Sequence, residues 1–199
     1  TYDWGNTNPN ALSAGSYFVV ITDNIGCSET ISFNISEPSP LQLSLINTDV
    51  SCNGSSNGIS VASASGGTSP YSFDWGGYNP SSLAIGNYTA SVQDLNGCVS
   101  QQSFTISQPS ILSSITSSTD VLCFGDNTGT ATVTALGGTY PYFYDWGTVN
   151  PNFLLSGIYF VNIIDSNNCL TVDSVIISEP SLLQSSSTII DVSCYGLSD

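Results

Sequence analysis

Most of the chain consists of short stretches in which apolar and polar residues alternate. Residues 71–75 read Tyr-Ser-Phe-Asp-Trp and residues 88–92 read Tyr-Thr-Ala-Ser-Val, a pattern that predicts β-strands with one buried face. The dipeptide Asn96-Gly97 is a strong signal for a hairpin turn after the second of these strands. No window of useful length shows helical periodicity. The pattern therefore predicts an all-β chain of short strands.

The alternating pattern recurs along the chain at intervals of 71 residues, without insertion or deletion. A fixed period of this kind is typical of arrays in which one structural unit is copied. The following sets of residues keep the interval: Trp4, Trp75 and Trp146; Tyr17, Tyr88 and Tyr159; Asp23, Asp94 and Asp165; Cys27, Cys98 and Cys169; Asp49, Asp120 and Asp191; Cys52, Cys123 and Cys194.

Proline-containing segments at Pro38, Pro109 and Pro180 divide the chain into repeats. The predicted organisation is the C-terminal part of a first repeat at residues 1–38, complete repeats at 39–109 and 110–180, and the N-terminal part of a fourth repeat at 181–199. Proline restricts its own backbone and that of the residue before it. We therefore expect neighbouring repeats to be held at a fairly fixed angle, in a linear rod.

Each repeat has the length and turn spacing of a small β-sandwich. About five to seven short strands within about 70 residues, separated by turn signals, are typical of sandwiches with immunoglobulin-like connections. The predicted fold class is all-β, with tandem immunoglobulin-like β-sandwich domains. We expect the structural core to include six recurring aromatic residues: Trp4, Trp75, Trp146, Tyr17, Tyr88 and Tyr159.

The inner face of the strand near residue 60 is ambiguous in the sequence. Ile59 and Val61 are the larger apolar residues in the second repeat, whereas the third repeat places Ala131, Val133 and Ala135 on the opposite parity. A shift of one residue would exchange the buried and exposed faces of the strand. The sequence leaves both orientations open.

The charge balance excludes several classes of function. The chain has 15 Asp and Glu residues and no Lys, Arg or His, which gives a formal net charge of −15. Nucleic-acid affinity comes mainly from cations that neutralise phosphates, so we predict no nucleic-acid binding and no attraction to anionic lipid. The apolar runs are far shorter than the roughly 20 residues of a membrane-spanning helix, so we expect no membrane insertion.

The absence of Lys and His also removes most covalent and acid–base chemistry. Ser-His-Asp, Cys-His and Schiff-base mechanisms need residues that the chain lacks. Paired carboxylates could still act as acid and base, but a catalytic pair is not usually copied at every step of an array. We predict that the chain is not an enzyme.

Three recurring aspartates are candidate calcium ligands: Asp23, Asp94 and Asp165. Carboxylate oxygens suit calcium, and Glu37 and Glu179 in the linkers could share such a site. The alternative is that each aspartate caps its own turn. Gln108 in the middle linker would weaken a shared ion site. Apart from calcium, no cofactor is expected.

The six cysteines allow three local pairing schemes. We favour closure within a repeat, with bonds Cys52–Cys98 and Cys123–Cys169 and with Cys27 and Cys194 left for partners outside these residues, because self-contained units can fold independently. The second scheme has the bonds Cys27–Cys52, Cys98–Cys123 and Cys169–Cys194. The third joins a turn cysteine of one repeat to the far end of its neighbour, for example Cys52 to Cys169. No spacing typical of a zinc site is present.

The strand face opposite the tyrosines is unevenly apolar. Phe18, Val20, Phe160 and Ile164 lie on this face, whereas the second repeat has Thr89 at the position of the phenylalanines. Exposed apolar residues of this kind indicate lateral contact with other copies, or a second covering sheet.

Several segments together resemble a known family of repeats. Val50-Ser51-Cys52-Asn53-Gly54, residues 66–75, residues 86–89 and residues 94–98 are similar to the SprB-type repeats of very large surface adhesins of gliding Bacteroidota. The likeness extends over essentially the whole chain. It implies a cell-surface filament, export by the type IX secretion system, and a role in adhesion or gliding motility.

The function that we expect is that of a structural repeat segment in an extracellular adhesin filament or stalk on the bacterial surface. The expected partners are neighbouring repeats of the same chain; copies in a bundle and surface glycans are further candidates. One alternative is a carbohydrate-binding array in which Trp75 or Tyr78 stacks on sugars. The other is a spacer module of a large secreted enzyme.

Overall fold

The structure, a computed structural model, describes residues 1–196, and its regular secondary structure there consists of β-strands. The strands are β1 (Tyr2–Asp3), β2 (Gly15–Thr22), β3 (Ser28–Ile35), β4 (Gln42–Thr48), β5 (Ile59–Ser65), β6 (Ser72–Asp74), β7 (Gly86–Gln93), β8 (Val99–Ile106), β9 (Ser113–Thr119), β10 (Thr130–Leu136), β11 (Tyr142–Asp145), β12 (Gly157–Asp165) and β13 (Leu170–Ile177). The all-β prediction is confirmed. Within the described residues, no helix is long and apolar enough to cross a membrane.

The contacts divide the chain into two compact units. The first unit comprises Thr1–Thr48 and Ile59–Ile106, and the second comprises Asp49–Gly58 and the chain from Ser107 onward. The loop Asp49–Gly58 therefore belongs to the second unit, although it connects β4 to β5 of the first. The repeat boundaries predicted from the prolines are a different division, and they stay a prediction.

Both units are built from small antiparallel sheets. In the first unit, β1-β2-β3 and β6-β7-β8 are three-stranded sheets, and β4-β5 is a hairpin. In the second unit, β9-β10 is a hairpin and β11-β12-β13 is a three-stranded sheet. The strands recur with the period of the sequence, since β2, β7 and β12 begin at Gly15, Gly86 and Gly157.

The core of the second unit lies between its hairpin and its three-stranded sheet. Leu112 and Ala135 pack with Val161 and Ile163 of β12 in one buried cluster. Leu154 and Ile177 belong to a second buried cluster, together with Val121, Ala131 and Val175. Burying a large aliphatic side chain contributes about 1.5–3 kcal/mol. The first unit buries Leu83, Val92 and Ile106 at the positions equivalent to Leu154, Ile163 and Ile177.

The structure settles which face of the ambiguous strand is buried. Ala131 and Ala135 of β10 are buried, and so is Ser60, which is equivalent to Ala131 in β5 and donates from its hydroxyl to Asn47 Oδ1 at 2.6 Å. Ile59 and Val61 are 39% and 58% exposed. The inner face of this strand is therefore the one that carries Ala131 and Ala135 in the third repeat and Ser60 in the second.

Candidate functional site

A disulfide joins the second repeat to the third. Cys52 and Cys169 are bonded, with their Cα atoms 5.7 Å apart and a sequence separation of 117 residues. Cys52 lies in the loop after β4, which we call the cysteine loop, and Cys169 lies in the turn between β12 and β13, which we call the cysteine turn. Both residues are part of the second unit.

The cysteine loop is fixed by hydrogen bonds to the residues that follow β8. The Val50 N–H donates to the Ser107 carbonyl oxygen at 3.2 Å, and Asp49 Oδ1 accepts from the Ser107 N–H at 2.7 Å. The Gly54 N–H donates to Gln108 Oε1 at 2.9 Å. These bonds hold the loop against the chain that leads into the third repeat. Cys52 is presented from a fixed backbone as a result.

The cysteine turn is organised around one aspartate. Asp165 Oδ1 accepts from the backbone N–H groups of Asn167 and Cys169, both at 2.9 Å, and its Oδ2 accepts from the Thr139 N–H, also at 2.9 Å. Asn168 has a positive φ of 63°, a conformation that asparagine tolerates better than most residues. The aspartate thus sets the position of Cys169.

A polar contact accompanies the disulfide. Asn167 Nδ2 donates to the Ser51 carbonyl oxygen at 3.0 Å and to Thr139 Oγ1 at 3.1 Å. The side chain of Asn167 therefore connects the cysteine loop to the cysteine turn next to the covalent bond. Sequence reasoning missed Asn167, although Asn96 stands at the same position of the second repeat.

The predicted closure within a repeat is wrong, because the two cysteines of a repeat lie near opposite ends of a strand. In the third repeat, the Val121 N–H donates to the Ser178 carbonyl oxygen just after the end of β13, which places the loop with Cys123 there. Cys169 precedes the beginning of β13, a strand of 8 residues. Such a strand is about 25 Å long, whereas a disulfide needs Cα atoms roughly 4.4–6.8 Å apart.

The observed bond is that of the third scheme, and it also rules out the second scheme for Cys52 and Cys169. The other four cysteines of the described chain, Cys27, Cys98, Cys123 and Cys194, are exposed and have free thiols. That Cys27 and Cys194 pair with partners outside these residues stays a prediction.

The candidate calcium ligands are occupied by their own turns. Asp23 Oδ1 accepts from the N–H groups of Ile25 and Cys27, both at 2.9 Å, and Asp94 and Asp165 accept in the same way. In the described part of the chain, no three Asp, Glu, Cys or His side chains cluster closely enough to hold a metal ion. The geometry is that of turn capping, and calcium binding has no observation in its support.

Asp94 shows the electrostatic effect of this arrangement. Burial acts to raise the pKa of Asp94, but backbone N–H donors from Thr68, Cys98 and Asn96 stabilise the carboxylate more strongly, so that its pKa is lowered. Donors that favour the charged form have this effect. The turn is therefore held by an ionised aspartate.

The linker residues Gln108 and Glu179 have a role that the calcium hypothesis did not anticipate. Gln108 Oε1 accepts from the Gly54 N–H at 2.9 Å, and Glu179 Oε2 accepts from the Gly125 N–H at 3.0 Å. Because the position requires a hydrogen-bond acceptor and not a charge, Gln and Glu serve equally.

The recurring aromatic residues are half-buried and face the core. Trp75 contacts Phe104 edge-on with ring centroids 6.0 Å apart, and Trp4 meets Phe33 in the same way at 5.9 Å. Trp146 packs against both core clusters of the second unit. The hydroxyls of Tyr17, Tyr88 and Tyr159 each donate to the carbonyl oxygen four residues earlier.

The outward face of the three-stranded sheets differs between repeats. Phe18 and Phe160 are 54% and 65% exposed. At the equivalent position, Thr89 shares a hydrogen bond of 3.0 Å with Ser103. The apolar outward residues are therefore not covered by a second sheet, and lateral contact between copies stays a prediction.

The recurrent strands, the repeated turns and the bond between consecutive repeats define a tandem array of small all-β units. The sequence model of the SprB repeat family matches residues 45–78 and residues 115–151. These two segments therefore match the SprB repeat, in agreement with the resemblance noted in the sequence. No curated protein matches the chain.

Proposed function

We propose that the chain is a structural segment of an extracellular adhesin filament or stalk on the bacterial surface. The single observation that carries this proposal is the Cys52–Cys169 bond, which covalently connects two consecutive copies of the 71-residue repeat. A disulfide of this kind persists in an oxidising compartment outside the cytoplasm. A surface location accounts for both the family and the bond.

The position of the bond suits a segment that carries tension. When the chain is pulled from its two ends, the force reaches Cys52, crosses the disulfide and leaves at Cys169. The 117 residue steps between them are bypassed, so their hydrogen bonds need not resist the full pull. A covalent path of this kind is useful in a stalk and has no obvious use in a catalytic domain.

The charge and the amino-acid composition of the chain support the same proposal. The net charge of −15 favours solubility and separation from other acidic surfaces. The chain has no His and no Lys, so catalytic mechanisms that depend on these residues have no support in it. We therefore propose a mechanical role and no enzymatic activity. A linear rod is the arrangement of repeats that we propose for it.

From the family resemblance we further propose that the protein is exported by the type IX secretion system and participates in gliding motility. The alternative of a sugar-binding row of tryptophans has less support, because Trp75 is half-buried and packs its ring against Phe104. Tyr78 is 59% exposed but contacts Tyr88 at a centroid distance of 5.0 Å.

Immunogold electron microscopy of cells that produce the native protein tests the proposed location. Antibodies raised against residues 39–180 should label filaments that project from the cell surface, and surface proteolysis should remove the label. Label confined to the cell interior, or a soluble secreted product with a catalytic domain, would contradict the proposal.

A further inference from the structure

We propose that the Cys52–Cys169 bond is one member of a regular series. In this series the cysteine equivalent to Cys52 in each repeat, the loop cysteine, bonds to the cysteine equivalent to Cys169 that lies 117 positions further along the chain, the turn cysteine. In this series Cys123 is the loop half of a second bond, whose partner is the turn cysteine of the repeat that begins at residue 181. Cys98 is the turn half of a third bond, whose partner is a loop cysteine in the repeat that precedes it. The inference rests on the proposed extracellular location and not on an adhesive role.

The loop that carries Cys123 is held by the same hydrogen bonds as the loop that carries Cys52. The Val121 N–H donates to the Ser178 carbonyl oxygen at 3.1 Å, and Asp120 Oδ1 accepts from the Ser178 N–H at 2.8 Å. The Gly125 N–H donates to Glu179 Oε2 at 3.0 Å. The corresponding distances around Cys52 are 3.2, 2.7 and 2.9 Å.

The same agreement extends to the residues next to each loop cysteine. The Cys52 carbonyl oxygen accepts from the Ser55 N–H at 3.1 Å, and the Cys123 carbonyl oxygen accepts from the Asp126 N–H at 3.1 Å. The Leu122 N–H donates to a threonine hydroxyl at 2.9 Å, where the Ser51 N–H donates to an asparagine carbonyl at 3.0 Å. Different side chains therefore produce one loop conformation, in which the cysteine is presented in the same way.

The turn that carries Cys98 matches the turn that carries Cys169. Asp94 Oδ1 accepts from the Cys98 N–H at 2.8 Å, and Asp94 Oδ2 accepts from the Thr68 N–H at 2.9 Å. Asn96 Nδ2 donates to Thr68 Oγ1 at 3.0 Å, as Asn167 does in the next repeat. Asn96 is thereby oriented for the contact that Asn167 makes to the cysteine loop. The Cys98 thiol is exposed and free.

The bonded pair shows what the free thiols of Cys123 and Cys98 can do. The loop of Cys52 is bonded to the turn of Cys169. The loop of Cys123 has the backbone hydrogen bonds of the first, and the turn of Cys98 has those of the second. Bond formation removes two protons and two electrons from the paired thiols. A disulfide-containing oxidant accepts the electrons and is reduced to two thiols, by attack of one cysteine thiolate and displacement by the second.

The spacing gives the series a mechanical consequence. Because 117 exceeds the repeat length of 71, each ring begins before the preceding ring has closed. The shortest covalent path then leaves only the 24 residues between a turn cysteine and the next loop cysteine free to extend, as between Cys169 and Cys194. In an array with every bond formed, tension can therefore extend only these short segments of that path.

Two extended chains test the two proposed bonds separately. In the first, a copy of residues 129–180 follows Asp199, which completes the fourth repeat and adds one copy of Cys169. In the second, a copy of residues 39–71 precedes Thr1, which completes the first repeat and adds one copy of Cys52. Both chains are oxidised with a low-molecular-weight disulfide and melted to verify a cooperative fold.

Free thiols are then counted under denaturing conditions, and the disulfides are mapped by peptic digestion and mass spectrometry, since trypsin finds no Lys or Arg in the chain. In each extended chain the number of free thiols should fall from the four of the original chain to three. The added cysteine should be bonded to Cys123 in the first chain and to Cys98 in the second.

Matched controls carry Cys123→Ser or Cys98→Ser in the corresponding extended chain, and the added cysteine should then remain a free thiol. A folded extended chain with five free thiols would overturn the inference. Bonding of the added cysteine to Cys194 or to Cys27 would overturn it equally. None of these outcomes bears on whether the native protein lies on the cell surface, which the microscopy decides.

Discussion

Removing the disulfide should destabilise the second unit by an amount that follows from the size of the ring it closes. The double substitution Cys52→Ser and Cys169→Ser opens a ring with a sequence separation of 117 residues. The loop-entropy relation gives a loss of about 5 kcal/mol at 25 °C for a ring of this size. A domain is usually stable by only about 5–15 kcal/mol, so the loss is a large fraction of the total.

Urea unfolding monitored by tryptophan fluorescence measures this loss. Trp4→Phe and Trp75→Phe leave Trp146, which packs in the core of the second unit, as the reporter. With a slope of about 2 kcal/mol per molar urea, the midpoint should fall by about 2.5 M. Reduction of the unsubstituted chain should produce a shift of the same size.

The matched control is Cys98→Ser together with Cys123→Ser, which removes two exposed thiols and no bond. Its free energy of unfolding should stay within about 0.5 kcal/mol of that of the parent, as for most surface substitutions. If the Cys52→Ser, Cys169→Ser chain and this control unfold at the same urea concentration, the bond does not stabilise the second unit.

Three further predictions concern the turns. The pKa of Asp94 is lowered in the folded chain, so its ionised carboxylate stabilises the fold above the unfolded pKa of about 3.9, and this contribution disappears as the pH falls through the folded pKa. Asp94→Asn should therefore flatten the acid-induced loss of stability that urea titrations measure. Gly66→Ala should cost about 2–5 kcal/mol, since Gly66 has a φ of 72° and an added Cβ would collide with the Pro40 carbonyl oxygen; Gly76→Ala, at a φ of 64° with open space, should cost only about 1–2 kcal/mol. The melting temperature should be the same in excess calcium and in a chelator, because the oxygens of Asp23, Asp94 and Asp165 already accept backbone N–H groups, and a calcium-dependent rise would show that the turns bind the ion.

Local sequence patterns predicted strands such as β7 and β12 because alternate residues of these strands are buried or half-buried. The alternation at residues 88–92 became β7, and the signal Asn96-Gly97 became the turn before β8. The 71-residue interval extended these predictions to every repeat. Alternation failed at Ile59 and Val61, because the buried face of β5 carries the polar Ser60, whose hydroxyl donates to Asn47 Oδ1, while the two larger apolar residues are exposed.

The disulfide could not be predicted from local patterns because it depends on where the cysteine loop of one repeat meets the next repeat. That position is set by contacts such as those of Asp49 to Ser107 and Gly54 to Gln108, which join residues more than 50 positions apart. The 71-residue spacing of Asp49 and Asp120 was visible in the sequence. It carried no information about the partner of either carboxylate.

The disulfide of the oxidised chain should also shorten the length that tension can release. Single-molecule force spectroscopy, with the chain held by its two ends, measures that length directly with and without a reductant. Reduction should add about 400 Å to the extended length, the reach of the 117 residue steps that the bond bypasses. Equal extended lengths in the two conditions would contradict the claim that tension passes from repeat to repeat through Cys52 and Cys169.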